Sequence, residues 1–129
     1  IYRYATVTVN RSNPEARAAS VRRLRNELKR GISIFLFPEG TFNTSEKLLK
    51  DFYDGAFKLA IEMQLPIQPL LFVDTKRRMH YKSLLCLNPG ISRSVFLDVV
   101  ETNGLTPADL PQLKELVFKK MEKGLEAFL

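Results

Sequence analysis

The spacing of apolar residues along this chain switches between a strand-like and a helix-like period, and the switches mark its elements. Residues 3 to 9 (Arg3-Tyr4-Ala5-Thr6-Val7-Thr8-Val9) are rich in β-branched and aromatic types and predict a strand, which residues 10 to 13 break. Asn13 suits a helix N-cap, with Pro14 at the first helical position and Glu15 in the first turn. That helix is expected to reach Lys29 or Arg30 and to close at Gly31, with Val21, Leu24 and Leu28 as its apolar stripe. Residues 32 to 37 are apolar almost throughout, the pattern of a central strand covered on both faces. A loop at 38 to 44 leads to a second helix near 54 to 63, with Ala56, Phe57, Ala60 and Ile61 facing inward.

A second buried strand is predicted at 67 to 73, although Pro69 removes one of its ladder donors. Residues 75 to 83 read as a polar loop, and 81 to 87 and 94 to 100 as strands joined through the turn Asn88-Pro89-Gly90. Thr106-Pro107 opens a last helix, in which Leu110, Leu113, Val117, Met121, Leu125 and Phe128 keep helical spacing. Strand, helix, strand, helix, strand predicts an α/β fold: a mixed, mostly parallel sheet flanked by helices. Ligands of such sheets sit outside the carboxyl ends of the strands, which directs attention to residues 38 to 44.

Length and composition narrow the possibilities without choosing a function. The 129 residues suffice for one domain, 1–129, with a single core, and no internal repeat is visible. No apolar run approaches the roughly 20 residues that cross a bilayer. Twenty Lys and Arg against fourteen Asp and Glu give +6, which favours an anionic partner: a phosphorylated substrate, an acidic lipid surface or nucleic acid. The basic stretch Arg17, Arg22, Arg23, Arg25, Lys29 and Arg30 reads either as a solvated helix face or as a lipid-facing surface. No nucleic-acid motif accompanies these charges, and the tyrosines and phenylalanines fall mostly in apolar strands, so nucleic acid is not expected as a partner. The single cysteine, Cys86, lies in an apolar run with the single histidine, His80, six residues before it. Cys86 reads as a core residue and His80 as a surface or locally hydrogen-bonded one, and one His with one Cys cannot assemble the usual zinc site, so no metal is expected.

The chemistry concentrates in Phe37-Pro38-Glu39-Gly40-Thr41. Pro38 ends the strand because it cannot donate to a ladder, and Gly40 lets the backbone turn sharply and approach a ligand. The amides of Gly40 and Thr41 and the Thr41 hydroxyl are donors that could converge on phosphate oxygens. Glu39 would repel a phosphate directly and better suits orienting a cation or a substrate hydroxyl. A plain turn with Glu39 in solvent fits the same residues.

This pentapeptide resembles the third sequence block of the lysophosphatidic acid acyltransferase family. Thr6-Val7-Thr8-Val9-Asn10-Arg11 is similar to the second block, an apolar strand ending in a phosphate-binding arginine, and Leu65-Pro66-Ile67-Gln68-Pro69-Leu70 to the fourth, a strand flanked by two prolines. Gly55-Ala56-Phe57-Lys58-Leu59-Ala60 matches the helix found between them. The resemblance covers about residues 5 to 100, with the blocks in the family's order. It implies a glycerolipid acyltransferase-like domain in which Arg11 clamps the acceptor phosphate, Glu39 and Gly40 shape the pocket and Thr41 supports it. It further implies transfer of a fatty acyl group from acyl-CoA or acyl-ACP, a substrate rather than a cofactor, to lysophosphatidic acid or a related glycerophosphate. The implied setting is the cytoplasmic side of a membrane with an anionic surface, reached peripherally or through a segment outside this chain.

Five positions, in three places, depart from the family's pattern. Phe42 stands where the third block continues with arginine, Thr8 and Asn10 replace residues of the second block, and Tyr53-Asp54 precede Gly55 where basic residues are frequent. The family's first block, a histidine followed five residues later by an aspartate, has no counterpart: Leu85 stands five residues after His80, and His80 follows the fourth block. No catalytic residue is therefore expected in this chain, whose general base and its aspartate are expected upstream of Ile1. A catalytically inactive lipid- or partner-binding homologue remains a second reading.

Overall fold

The computed structural model describes residues 13–79 and 87–128, and falls into two compact units, 1–36 and 37–129. In the first, helix α1 (Pro14–Lys29) has the predicted bounds. The Asn13 side chain accepts a hydrogen bond from the Ala16 amide at 2.7 Å, satisfying one of the donors a helix start leaves open. Past the C-cap Arg30, Gly31 takes the left-handed conformation (φ 78°). Leu24 and Ser20 are buried, and Val21 and Leu28 are half-buried. The predicted strand at 3–9 lies outside the described residues.

Residues 32–37 form no strand among the described residues, and Phe35 and Phe37 are 57% and 67% exposed. The apolar run carried the right side chains for a central strand, but a strand exists only where a neighbour completes its ladder. The sheet that is described has two antiparallel strands rather than parallel ones.

The second unit is built on helices α2 (Gly55–Met63) and α4 (Leu110–Glu126). Their facing side chains Phe57, Ile61, Leu113 and Val117 join Leu49, Phe52 and Val100 in one buried cluster. Against α4 lies β1 (Leu70–Phe72), which pairs antiparallel with β2 (Ser94–Phe96) in the register Leu70↔Phe96, Leu71↔Val95, Phe72↔Ser94. Gly124 permits the close approach of α4, since a Cβ there would lie 2.8 Å from Leu71 Cδ1.

Pairing runs on to both ends of the predicted 67–73 strand: Ile67 and Val100 exchange both backbone bonds, and Val73 N donates to Arg93 O. Three steps from Ile67 to Leu70 face four from Val100 to Phe96, so the second strand carries one extra residue, a bulge, opposite Pro69. Pro69 has no N–H to give, and its carbonyl accepts from Leu97 N. The missing donor falls where the ladder is already irregular.

Two sequence expectations change here. The polar 75–83 stretch begins with a short helix, α3 (Thr75–Arg78). The strand predicted at 81–87 lies, apart from Leu87, outside the described residues; Leu87 forms an isolated bridge with Met79, and β2 pairs with β1. Residues 80–86, with His80 and Cys86, lie outside the described part.

Long-range polar contacts fix the loops. Gln64, left-handed at φ 50°, donates to Leu105 O (3.0 Å) and accepts from Gly104 N (2.6 Å). The fully buried Thr102 donates to Leu65 O at 2.8 Å. At the start of α3 the buried Asp74 carboxylate accepts from the Arg93 amide and, bidentately, from the Arg93 guanidinium at 2.8 Å, while the guanidinium lies 5.4 Å from the Phe128 ring. These donors hold Asp74 well below the usual carboxylate range.

Truncating the α2–α4 contact by Leu113→Ala is expected to cost about 2–5 kcal/mol, read as a fall in urea midpoint at unchanged slope. The depressed pKa of Asp74 means its pairing contributes to stability throughout the range above the unfolded value of about 3.9, and that the contribution fades as pH drops below it. Thermal melts across the acid range should therefore show a shallower loss of Tm in the Asp74→Asn variant than in the parent; parallel acid limbs would contradict this.

Candidate functional site

The site begins where residues 32–37 give way to Pro38. Phe37-Pro38-Glu39-Gly40 forms a turn closed by Gly40 N donating to Phe37 O at 3.1 Å, with proline and glycine at the positions such turns favour. Gly40 has φ 66°, which a residue with a Cβ adopts only under strain. Its amide is thus directed at Phe37 rather than outward, which corrects the expectation that it faces a ligand. The outward groups at the turn's end belong to Thr41, which is exposed.

Glu39 is half-buried, and its Oε2 accepts from the Lys50 amide at 2.8 Å. Beside it, the Pro38 carbonyl accepts from Tyr53 N at 2.9 Å. The carboxylate therefore ties the turn to the segment ahead of α2, which excludes the reading of a side chain left in solvent. Between these ties the loop stiffens itself: Asn43 Oδ1 accepts from the Ser45 amide (3.0 Å) and hydroxyl (2.7 Å), and Asn43 Nδ2 donates to Lys47 O (2.9 Å). Residues 38–53 form a closed surface loop in the manner of an Ω-loop.

Aromatic packing underlies the ties. Phe52, between Lys50 and Tyr53, stacks on Phe57 of α2 (6.0 Å between centroids) and meets Phe118 of α4 edge-on at 5.1 Å. Phe37 contacts Phe72 of β1 at 6.3 Å. Asp54 pairs with Lys114 of α4 at 2.8 Å, and that hydrogen bond and charge, with help from Lys58, lower its pKa.

Among the predicted site residues, the structure brings Glu39 and Gly40 together in one turn with Thr41 at its end. Arg11 lies outside the described residues. Phe42, at the family's arginine position, is 68% exposed. A cavity of about 650 Å³ lies elsewhere, walled by Phe52, Leu110, Pro111 and Phe118 with the Asp54–Lys114 pair, and none of residues 37–41 lines it. The sequence reading missed Lys50 and Tyr53 as supports. Both act through backbone amides, which every residue but proline carries, so no side-chain pattern could reveal them. Of the basic residues on α1, Arg17, Arg22, Arg23, Lys29 and Arg30 are exposed, Arg25 is half-buried, and Arg30 pairs with Glu27 at 3.1 Å.

If Glu39 positions the turn, Glu39→Ala should release the Lys50 amide and accelerate its hydrogen exchange, at a cost of about 1–3 kcal/mol. Glu39→Gln, which retains an acceptor oxygen, should keep that amide protected. Equal protection in both variants would show that the carboxylate supports nothing.

The sequence model of the acyltransferase family matches residues 1–73. The chain is 35% identical over 94 residues to the mouse (Mus musculus) 1-acyl-sn-glycerol-3-phosphate acyltransferase alpha, covering 73% of this chain and 33% of the relative. It is 31% identical over 94 residues to the human (Homo sapiens) beta enzyme of the same name, with the same coverage. The acl-2 protein of Caenorhabditis elegans is 33% identical over 112 residues, 86% of this chain and 39% of its own length. The chain thus spans about a third of the length of these relatives. No solved structure matches it. With the family's third block found as a braced turn and its fourth as a paired strand, the chain belongs to the acyltransferase family, that of the lysophosphatidic acid acyltransferases.

Proposed function

We propose that this chain is the acceptor-binding part of an enzyme that transfers a fatty acyl group from a thioester, acyl-CoA or acyl-ACP, to the free hydroxyl of lysophosphatidic acid. The observation that carries the proposal is the turn at 37–40, braced by the Lys50 and Tyr53 amides in a chain whose relatives are named for this reaction. Arg11 supplies the cation for the acceptor phosphate, and Glu39 and Gly40 fix the backbone that presents Thr41. The hydroxyl oxygen attacks the thioester carbonyl, an ester forms, and the carbon–sulfur bond breaks. The hydroxyl proton passes through a general base to the departing thiolate. That base and its aspartate belong to the family's first block, which precedes the second and is supplied by residues ahead of this chain. No cofactor or metal enters the scheme, and nucleic acid is not a partner.

The same reading makes the whole domain a mostly parallel sheet flanked by helices. It places the protein on the cytoplasmic side of a membrane, at an anionic surface, because both acceptor and product reside in bilayers. Phe42 at the arginine position leaves Arg11 as the main phosphate cation.

The test is acyl transfer by the protein carrying the first block ahead of this sequence. Phosphatidic acid is expected from lysophosphatidic acid and an acyl thioester. Arg11→Ala should lower kcat/KM for the acceptor about 10- to 100-fold, the worth of one charge-assisted contact. If no glycerophosphate acceptor is acylated while the protein is folded, the inactive-homologue reading takes its place.

A further inference from the structure

The segment 87–93 holds two exposed aliphatic side chains. Ile91, at 75%, is the most exposed large apolar residue among those described, and Leu87 is 64% exposed. Exposure of this kind is ordinary on a slack loop, but this one is framed on α3. Arg78 Nε donates to Ile91 O and Arg78 Nη1 to Pro89 O, both at 2.9 Å. Asn88 returns two bonds, from its amide to Arg78 O at 2.9 Å and from its side chain to Arg77 O at 3.1 Å. The ion pair between Arg93 and Asp74 closes the far end.

The charge around these side chains has one sign. Residues 75–79 and 87–93 contain Lys76, Arg77, Arg78 and Arg93 and no carboxylate. The nearest acid, Asp74, is occupied by Arg93, while Lys76 and Arg77 are exposed. Aliphatic groups held at a surface on a loop bonded to α3, which carries the exposed cations Lys76 and Arg77, match the interface of an anionic bilayer: hydrocarbon takes up the side chains and headgroup charge attracts the cations. Single-stranded nucleic acid would call for aromatic stacking groups instead, and the exposed apolar residues here are aliphatic. No helix among the described residues is long and apolar enough to cross a membrane.

We infer that residues 87–93, with Lys76 and Arg77 of α3, form a docking surface for anionic membrane. The inference deepens the proposed function, whose lipid acceptor resides in a bilayer, and it assigns membrane contact to this loop rather than to the basic face of α1.

Co-sedimentation of the chain with phosphatidylcholine vesicles, with and without phosphatidylglycerol, tests it without reference to turnover. Binding should rise with phosphatidylglycerol and weaken with salt. The Leu87→Ser/Ile91→Ser variant should partition about tenfold less, and Lys76→Ser/Arg77→Ser should lose the dependence on phosphatidylglycerol. Arg22→Ser/Arg23→Ser should bind as the parent does. Circular dichroism should be unchanged in all three, because every substituted side chain is exposed. Undiminished binding by the Leu87→Ser/Ile91→Ser variant overturns the inference, as does loss of binding only on changing α1. The pattern expected with vesicles sustains the inference even if acyl transfer is never observed.

Discussion

Phe52 buries its ring against Phe57 of α2 and Phe118 of α4, and the backbone around it, at Lys50 and Tyr53, provides the two amides that hold Glu39 and Pro38. The position of the candidate site is therefore decided in the core. Aromatic contacts of this geometry contribute about 0.5–1.5 kcal/mol beyond the area they bury. They also fix the direction in which the flanking amides point. The helix pair is in turn set by Leu113 and Val117 facing Phe57 and Ile61, so a chain of contacts runs from the middle of α4 to the carboxylate of Glu39.

Helices α1, α2 and α4 were legible because their signals are local, whereas the four-residue α3 was read as loop. Asn13, Pro14 and Gly31 bracket α1, and Thr106 with Asp109 forms the capping box that opens the turn ahead of α4. Strand identity was partly legible: 67–73 is paired along its length, and Pro69 coincides with a bulge. Pairing partners were not. Composition says that a segment favours extended backbone and cannot say which segment lies alongside, so β2 returning on β1 had no signature in the sequence. The same limit explains residues 32–37, whose apolar pattern was read as a strand without evidence of a neighbour. Asp74 and Arg93, nineteen residues apart, meet only because that pairing brings them together.

At the site, the third block was visible as a motif, and its internal architecture was not. Gly40 was expected to offer its amide outward, whereas the turn uses it internally. Glu39 was expected to address a ligand, whereas one of its oxygens serves the loop. These two residues now belong to the scaffold that presents the site, and Thr41 is the part of the motif that faces outward. A carboxylate in this turn ceases to be a puzzle once one of its oxygens accepts from a backbone amide.

Support delivered by the main chain is indifferent to which side chain it passes through. At positions 50 and 53 the loop asks only for an N–H, which excludes proline and leaves the side chain unspecified by that bond. Residues bordering the turn can thus change character while the turn itself stays in register. Substitution can then proceed at positions 50 and 53 around a fixed backbone, without loss of the two bonds that hold the turn.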